Sequence, residues 1–540
     1  MRVFELKEVA VHNRAEDCWI VVDGIVFDVT SFLSAHPGGK KILLKEAGKD
    51  ATKKFKMFHG PKVLTKYKKK LQVGVVKGSI AHKNINQEAK EGSDDVKALN
   101  RVEKVSRQLN LPEANIIYKP FGDQVPWGDP SWYQGNNSPY YTDSHIKWRK
   151  RVRKFMEEVI EPNVHEWDES YQFPKYVFKK FYEAGLMPGI VGPPWDESLC
   201  GVAPPEGGFD SFHELILVDE LARCGSGGIM WALFAGISIG LPPILHFGSE
   251  ELKRKVAPPC LRGDKFICLA ITEPWAGSDV ANIRTTAKRE GDFYIVNGAK
   301  KWITNGIWSD YFTVAVRTGG KGAKGISMLL VEKAMPGVKC RHMKCMGVWP
   351  SGTTYITFED VKVPASNIIG KEGEGFRQIM YNFNHERWSL VCQSNRLARV
   401  CFEEAFKYAM KRKTFGKRLI DHQMIRFKLA EMVRQIDATH SWTENVTYQL
   451  QTMKKKEQNL KLGGTIALLK AQSSKVFEYC AREAAQIFGG ASYVRGGVGE
   501  KIERMYREVR AYAIPGGSEE ILEDFAVRQA ARAAKKQAKL

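Results

Sequence analysis

The spacing of apolar residues changes character several times along the chain, and each change predicts a different kind of element. In Trp19–Val29 apolar residues dominate two runs broken by Asp23-Gly24, which predicts paired strands joined by a tight turn, with short helical segments after them. From about Lys77 to Asn115 large apolar residues become scarce, as expected of a mobile linker. Ile116 to Asp143 is rich in Pro, Gly, Trp and Tyr and is expected to be irregular but packed on the second domain. Helical periodicity then dominates Ser144–Gly248 and Gly375–Gln486, whereas Lys265–Val363 shows strand-like alternation with Gly-rich turns. In the second helical stretch Phe376, Ile379, Phe383, Leu390, Leu397 and Cys401 form an apolar stripe, and Glu386 falls within it. A carboxylate on the apolar side of a helix needs a reason.

These patterns divide the 540 residues into 1–77, 78–143 as linker and lead-in, 144–264, 265–370, 371–532, and a basic tail at 533–540. The longest apolar stretch, Ile229–Leu241, is too short for a membrane span and contains glycines, so it is read as a buried helix. No signal peptide is apparent. Ten cysteines without a CxxC pair indicate free thiols in a reducing compartment, and Cys340-Arg-His-Met-Lys-Cys345 lacks two further metal ligands. The net charge of +21 attracts anions, but no reading motif or stacking platform supports nucleic acid. Acidic protein surfaces and phosphate-bearing small molecules fit that charge better.

His36-Pro-Gly-Gly39 and, further on, Phe58-His-Gly60 bracket a lysine-rich segment. This region resembles cytochrome b5. The resemblance implies heme b with His36 and His59 as the axial iron ligands, an arrangement that leaves no open position and so transfers electrons. The basic segment departs from familiar cytochrome b5 surfaces, which are acidic around the heme edge.

Thr272-Glu-Pro-Trp-Ala-Gly-Ser-Asp279 is followed by Lys300-Lys-Trp-Ile-Thr-Asn-Gly306, two runs rich in hydroxyls and small residues suited to an isoalloxazine and a phosphate. Pro162, Trp167-Asp168, Glu220-Leu-Ala-Arg223, Lys411-Arg-Lys-Thr-Phe-Gly416, His422-Gln423, Gln486-Ile-Phe-Gly-Gly490 and Tyr506-Arg-Glu-Val-Arg510 accompany them in order. From about Ser144 to Arg532 the chain resembles acyl-CoA dehydrogenases. That resemblance implies FAD beside Leu269, Ile271, Thr272, Gly277 and Ser278, with Trp302 and Thr304 near its ring and Ser518 also at the flavin. Arg412, Thr414, Phe415 and Gln423 match positions reaching the FAD of a neighbouring subunit, and Gln486 and Gly490 its adenosine side. A homodimer or homotetramer is expected. Ser278 and Arg387 are expected at the acyl-CoA.

Removing two hydrogens from an acyl thioester requires a carboxylate base for the α-proton, sheltered from bulk water. Many family members place it on a C-terminal loop, where this chain has Gly516. The isovaleryl-CoA and long-chain members place it on a helix, at the position of Glu386, with Glu519 and Glu520 as lesser alternatives. The Gly516 N–H remains able to polarise the thioester carbonyl.

The expected fold is multidomain α+β: a small α+β cytochrome b5-like domain, then an N-terminal helical domain, a central β-barrel-like domain and a C-terminal four-helix bundle. The expected activity is α,β-dehydrogenation of an acyl-CoA of the fatty acid β-oxidation type, the heme relaying electrons to an acceptor protein. An oxygen-using acyl-CoA oxidase, or a silent scaffold carrying a heme module, are the alternatives. The terminal Gln537-Ala-Lys-Leu540 resembles a peroxisomal address, with mitochondrion or cytoplasm as the alternative locations.

Overall fold

A computed structural model describes residues 2–36, 38–59, 67, 71–79, 81 and 118–537, which fall into two units, Met1–Ile117 and Tyr118–Leu540. Residues 82–117 of the expected linker, the terminal Ala538-Lys-Leu540, Pro37 and Gly60 lie outside the described residues.

In the small unit, β1 (Arg2–Phe4), β2 (Asn13–Arg14), β3 (Asp17–Val22), β4 (Ile25–Asp28) and β5 (Gln72–Val76) form a sheet in the order β1-β5-β4-β3-β2. Asp23 and Gly24 turn β3 into β4, and both have positive φ, as a two-residue hairpin whose twist matches its strands requires. Ile20, Val22, Phe27, Leu33 and Val75 fill the core. Beside it stand helices α1 (Lys40–Glu46) and α2 (Thr52–Phe58).

The large unit begins with the aromatic lead-in, which is packed as expected: Trp132 and Tyr133 are each 1% exposed. It is tied down by helices α3 (Asp143–Phe155), α4 (Ser211–Ala222) and α5 (Gly375–Lys411). Asp129 accepts from Arg396 Nη1 at 2.9 Å and Arg153 Nη2 at 3.4 Å, and Arg149 lies 4.0–4.4 Å from the rings of Phe121, Trp132 and Tyr133. Cationic faces on aromatic rings and paired buried charges replace the water these groups lose.

The apolar stretch around Ile229 is longer in space than in sequence, which corrects the reading that it is too short to span. The helical run Gly227–Phe247 has the length and composition of a membrane span, and its 78% burial marks it as a core helix instead. Its glycines permit close contact with β6 (Ile267–Ala270): a Cβ on Gly236 would lie 2.4 Å from Ile267 O, and one on Gly240 2.9 Å from Cys268 C.

Strands β6, β7 (Thr286–Glu290), β8 (Phe293–Ile303), β9 (Tyr311–Arg317), β10 (Ile326–Glu332), β11 (Val338–His342), β12 (Thr354–Pro364) and β13 (Ile368–Ile369) form an eight-stranded, mostly antiparallel sheet around an apolar core. After it, α5 packs with α6 (Gln423–Thr452), α7 (Gly463–Phe488) and α8 (Glu500–Ala513), while α9 (Glu519–Gln537) lies against α7.

Replacing Asp129 by alanine removes one acceptor from each of two buried guanidinium groups, which keep Glu220 and Asp219 as partners. We expect a loss of about 1.5–3 kcal/mol, read as a lower urea midpoint in far-UV circular dichroism.

Candidate functional site

The two flavin-type segments are joined at a buried ion pair. Lys300 Nζ lies 2.8 Å from Glu273 Oε1 with both side chains fully buried, and it also donates to Ile271 O at 2.8 Å. Glu273 accepts three further hydrogen bonds, from Trp275 Nε1, Arg284 N and Thr285 N, while Lys301 N donates to Thr272 O at 2.9 Å. Burial lowers the Lys300 ammonium to about 8, against the pull of Glu273.

This clip presents Leu269 and Thr272 half-buried, Ile271 buried, and Gly277 and Ser278 exposed on one segment. On the other, Trp302 is 50% exposed and Thr304 half-buried. Trp302 has φ +59°, an outlier for a bulky residue, and Asn305 has φ +63°. The Asn305 amide fixes the turn by donating to Trp231 O at 3.2 Å and Ser351 O at 3.0 Å. A strained turn that holds an indole out of the core is the kind found at ligand clamps. The hydroxyls, open glycine and exposed ring fit a flavin.

Glu386 is carried by α5. Asn382, one turn earlier, donates to its Oε1 at 2.9 Å and to Ser238 O of the helical run at 3.4 Å. Trp231 of the same run donates through Nε1 to Gln393 Oε1 of α5 at 3.1 Å. The run therefore links the Trp302 turn to the helix carrying Glu386. Burial pushes the Glu386 carboxyl up to about 7, although Asn382, His385 and Arg387 pull it down. His385 Nε2 meets the buried Glu214 Oε1 at 2.6 Å. Burial disfavours the His385 imidazolium, yet Glu214 outweighs it and His385 is raised.

Gly516 and Gly517 have φ +72° and +107°, and a Cβ on Gly516 would lie 2.9 Å from Leu390 Cδ1. A glutamate there meets backbone strain, and its Cβ requires the end of the Leu390 side chain to shift. Arg387 Nε donates to Gly516 O at 2.8 Å, so this group, expected at CoA, is engaged with the loop. Lys470 Nζ holds the same loop through Ala513 O at 2.8 Å and Gly517 O at 2.9 Å. Ser518 sits half-buried immediately before α9. Of the alternative bases, Glu519 accepts from Ser474 Oγ at 2.6 Å, and Glu520 is exposed with its carboxyl lowered by hydrogen bonds to its own backbone and Ser518. Glu508 is also raised by burial, but it accepts from Gly227 N and Gly228 N and is spent on capping the helical run.

Arg412, Phe415, Gln423, Gln486 and Gly490 are exposed and Thr414 half-buried, with Phe415 95% exposed in the hairpin of β14 (Lys413–Thr414) and β15 (Lys417–Arg418). A cavity of about 780 Å³ lies elsewhere, lined by Phe173, Lys175, Phe178, Trp308 and His342 among others; neither Glu386 nor the expected flavin contacts line it.

In the small unit the His36 and His59 rings are 5.9 Å apart. Two metal–imidazole bonds of about 2 Å, plus about 1 Å from each nitrogen to its ring centre, give about 6 Å, so one iron fits between them. Phe55 stacks on His59 at 4.7 Å, and a Cβ on Gly38 would lie 2.9 Å from His36 Cε1. His59 Nδ1 is buried without a hydrogen-bond partner, leaving its orientation to packing.

Sequence reasoning missed one convergent donor set, His145, Asp210 and His213. Its atoms are already used: Asp210 Oδ1 meets His145 Nε2 at 3.0 Å and His213 Nδ1 at 2.8 Å, and His213 Nε2 meets Ser144 Oγ at 3.0 Å. Asp210 also receives Phe212 N and His213 N, so this is a helix cap.

A helical domain, a sheet domain carrying a flavin clamp and a helical bundle bearing a half-buried carboxylate raised toward neutrality define a flavoprotein dehydrogenase. Family models for the acyl-CoA dehydrogenase N-terminal, middle and C-terminal domains match residues 142–264, 268–361 and 373–531, and one for the cytochrome b5-like heme/steroid binding domain matches 5–77. The chain belongs to the acyl-CoA dehydrogenase family, and it is an oxidoreductase whose cofactors are FAD and heme. It is 44% identical over 417 residues to acyl-CoA dehydrogenase apdG of Emericella nidulans, covering 75% of this chain and 95% of that one. The structure of acyl-CoA dehydrogenase from Geobacillus kaustophilus matches with 31% identity and a TM-score of 0.66, over 73% of this chain and all of that one. An acyl-CoA dehydrogenase from Bacillus anthracis complexed with FAD matches with 27% identity and a TM-score of 0.66, over 74% and 69% of the two chains.

His385→Gln removes a positive charge beside Glu386, so the carboxyl should rise further. We expect the pH profile of flavin reduction to move to higher pH; a purely structural role for His385 would lower the rate without moving the profile.

Proposed function

We propose that the protein converts a saturated acyl-CoA thioester to the trans-2-enoyl-CoA, a reaction of the fatty acid β-oxidation type, with Glu386 as the base for the α-proton. The observation that carries this reading is the Glu386 carboxyl, raised by burial to about 7, on a helix tied to the flavin clamp, while the loop position used by many relatives is a glycine. A base poised near neutral pH combines a useful ionised fraction with enough basicity to remove the proton. Bound FAD supplies the acceptor for the β-hydride. Asn382 holds the carboxylate through Oε1, and Arg387 and Lys470 hold the loop whose Gly516 N–H polarises the thioester carbonyl. Ser278, exposed beside the open Gly277, is suited to contact the acyl-CoA.

The fused heme serves as a one-electron relay between reduced flavin and an acceptor protein, an assignment supported by the spacing of His36 and His59. Phe415, nearly fully exposed on a single chain, supports a homodimer or homotetramer in which it covers the flavin of a neighbour. The terminal Ala538-Lys-Leu540 supports a peroxisomal location.

Glu386→Gln should slow anaerobic flavin bleaching by an acyl-CoA at least about 10²-fold. Near-normal bleaching would move the base elsewhere. In wild-type protein the bleaching rate should rise with pH through about 7, where Glu386 ionises. The heme Soret and α bands should shift to the reduced form after the flavin bleaches; bleaching without heme reduction would remove the relay.

A further inference from the structure

Residues 36–77 contain thirteen lysines and two acidic residues, Glu46 and Asp50, for a net +11 out of the chain's +21. Lys40, Lys41, Lys45, Lys49, Lys53, Lys54 and Lys56 are all exposed on or beside α1 and α2. Lys54 is paired with Glu46, and Lys56 with Asp23 at 2.6 Å. Among the described residues, Lys40, Lys41, Lys45 and Lys53 have no carboxylate within ion-pair distance. Lys40 and Lys41 open α1 directly after the His36 turn, while α2 ends at Phe58, the residue before His59. Because the two imidazoles are 5.9 Å apart, the start of α1 and the end of α2 converge on one edge. On that edge Met57 and Phe58 are 74% and 78% exposed. An exposed apolar pair beside the unpaired charges of Lys40 and Lys41 is the composition of a docking surface.

We propose that this histidine-bearing edge of the small unit docks an acidic redox protein, which exchanges single electrons with the heme. The proposal rests on the heme reading above. The remaining residues of the chain carry a net +10, so the rest of the chain holds no excess of opposite charge, and an acidic partner protein supplies the complementary field. Complementary fields of this kind raise encounter rates by about 10–10³, and the gain is lost in salt.

The test uses full-length protein loaded with heme, reduced to the ferrous state and mixed anaerobically with either an acidic blue-copper protein or basic cytochrome c. In each case Fe(II) is oxidised to Fe(III), and Cu(II) or the cytochrome's Fe(III) takes the electron. We expect the acidic protein to reoxidise the heme at least about tenfold faster at low ionic strength, with the difference shrinking as salt is added. The triple variant Lys40→Glu, Lys41→Glu, Lys53→Glu, with an unchanged bis-histidine absorption spectrum, should reverse the preference. Failure to form that spectrum in wild-type protein overturns the heme reading itself. With the spectrum intact, faster reaction with cytochrome c, or rates indifferent to salt and to the triple variant, overturns the docking surface. Charge-dependent binding to phosphatidylserine vesicles, without any preference for the acidic protein, overturns it in favour of a lipid surface.

Discussion

The flavin clamp depends on one buried ion pair. Removing an ammonium and a carboxylate from water costs several kcal/mol per ion, so a Lys300–Glu273 contact is tolerable only with further partners. It has them: Glu273 takes an indole N–H and two backbone N–H groups, and Lys300 reaches the carbonyl of Ile271. Through these bonds the pair fixes the backbone on both sides of the clamp at once, from Ile271 to Thr285 on one segment and at Lys300 on the other. The strained backbone at Trp302 and Asn305 is held within two to five residues of this anchor.

From the clamp, order passes to Glu386 through the helical run Gly227–Phe247. Its glycines let it lie against β6, Trp231 accepts from Asn305 and donates to Gln393, and Ser238 O receives Asn382. Each contact is modest, at about 0.5–1.5 kcal/mol for a typical hydrogen bond. Their value is geometric, because a base must sit within hydrogen-bond reach of the proton it removes. The Gly516 loop is held from two sides, by Arg387 and Lys470, which explains how two consecutive glycines with positive φ keep one conformation.

Most of the architecture was legible because strand and helix periods differ and the segments are long. The flavin motifs and the His36/His59 pair were legible as short runs of unusual chemistry. What stayed hidden joins residues far apart in sequence: Glu214 with His385, Lys470 with the Gly516 loop, and the donors converging on Asp210. Glu214 and Lys470 sit inside helical patterns, where a charged residue reads as solvated surface unless its partner is known. Arg387 was read for an anionic ligand, and its Nε bond to the carbonyl of Gly516, 129 positions away, has no local signature in the sequence. The apolar run at Ile229 was underestimated because polar and glycine positions interrupt it in sequence without ending the helix.

Placing the carboxylate on α5 also changes what the molecule can become. A base on a 37-residue helix is positioned by a rigid element with many neighbours, whereas one on the loop would depend on every residue of the loop. With proton removal proposed for the helix, the Gly516 segment needs to keep its carbonyls for Arg387 and Lys470. Its remaining residues are free to diversify, so lineages descended from such a scaffold can alter the shape of their acyl pocket while inheriting the chemistry intact.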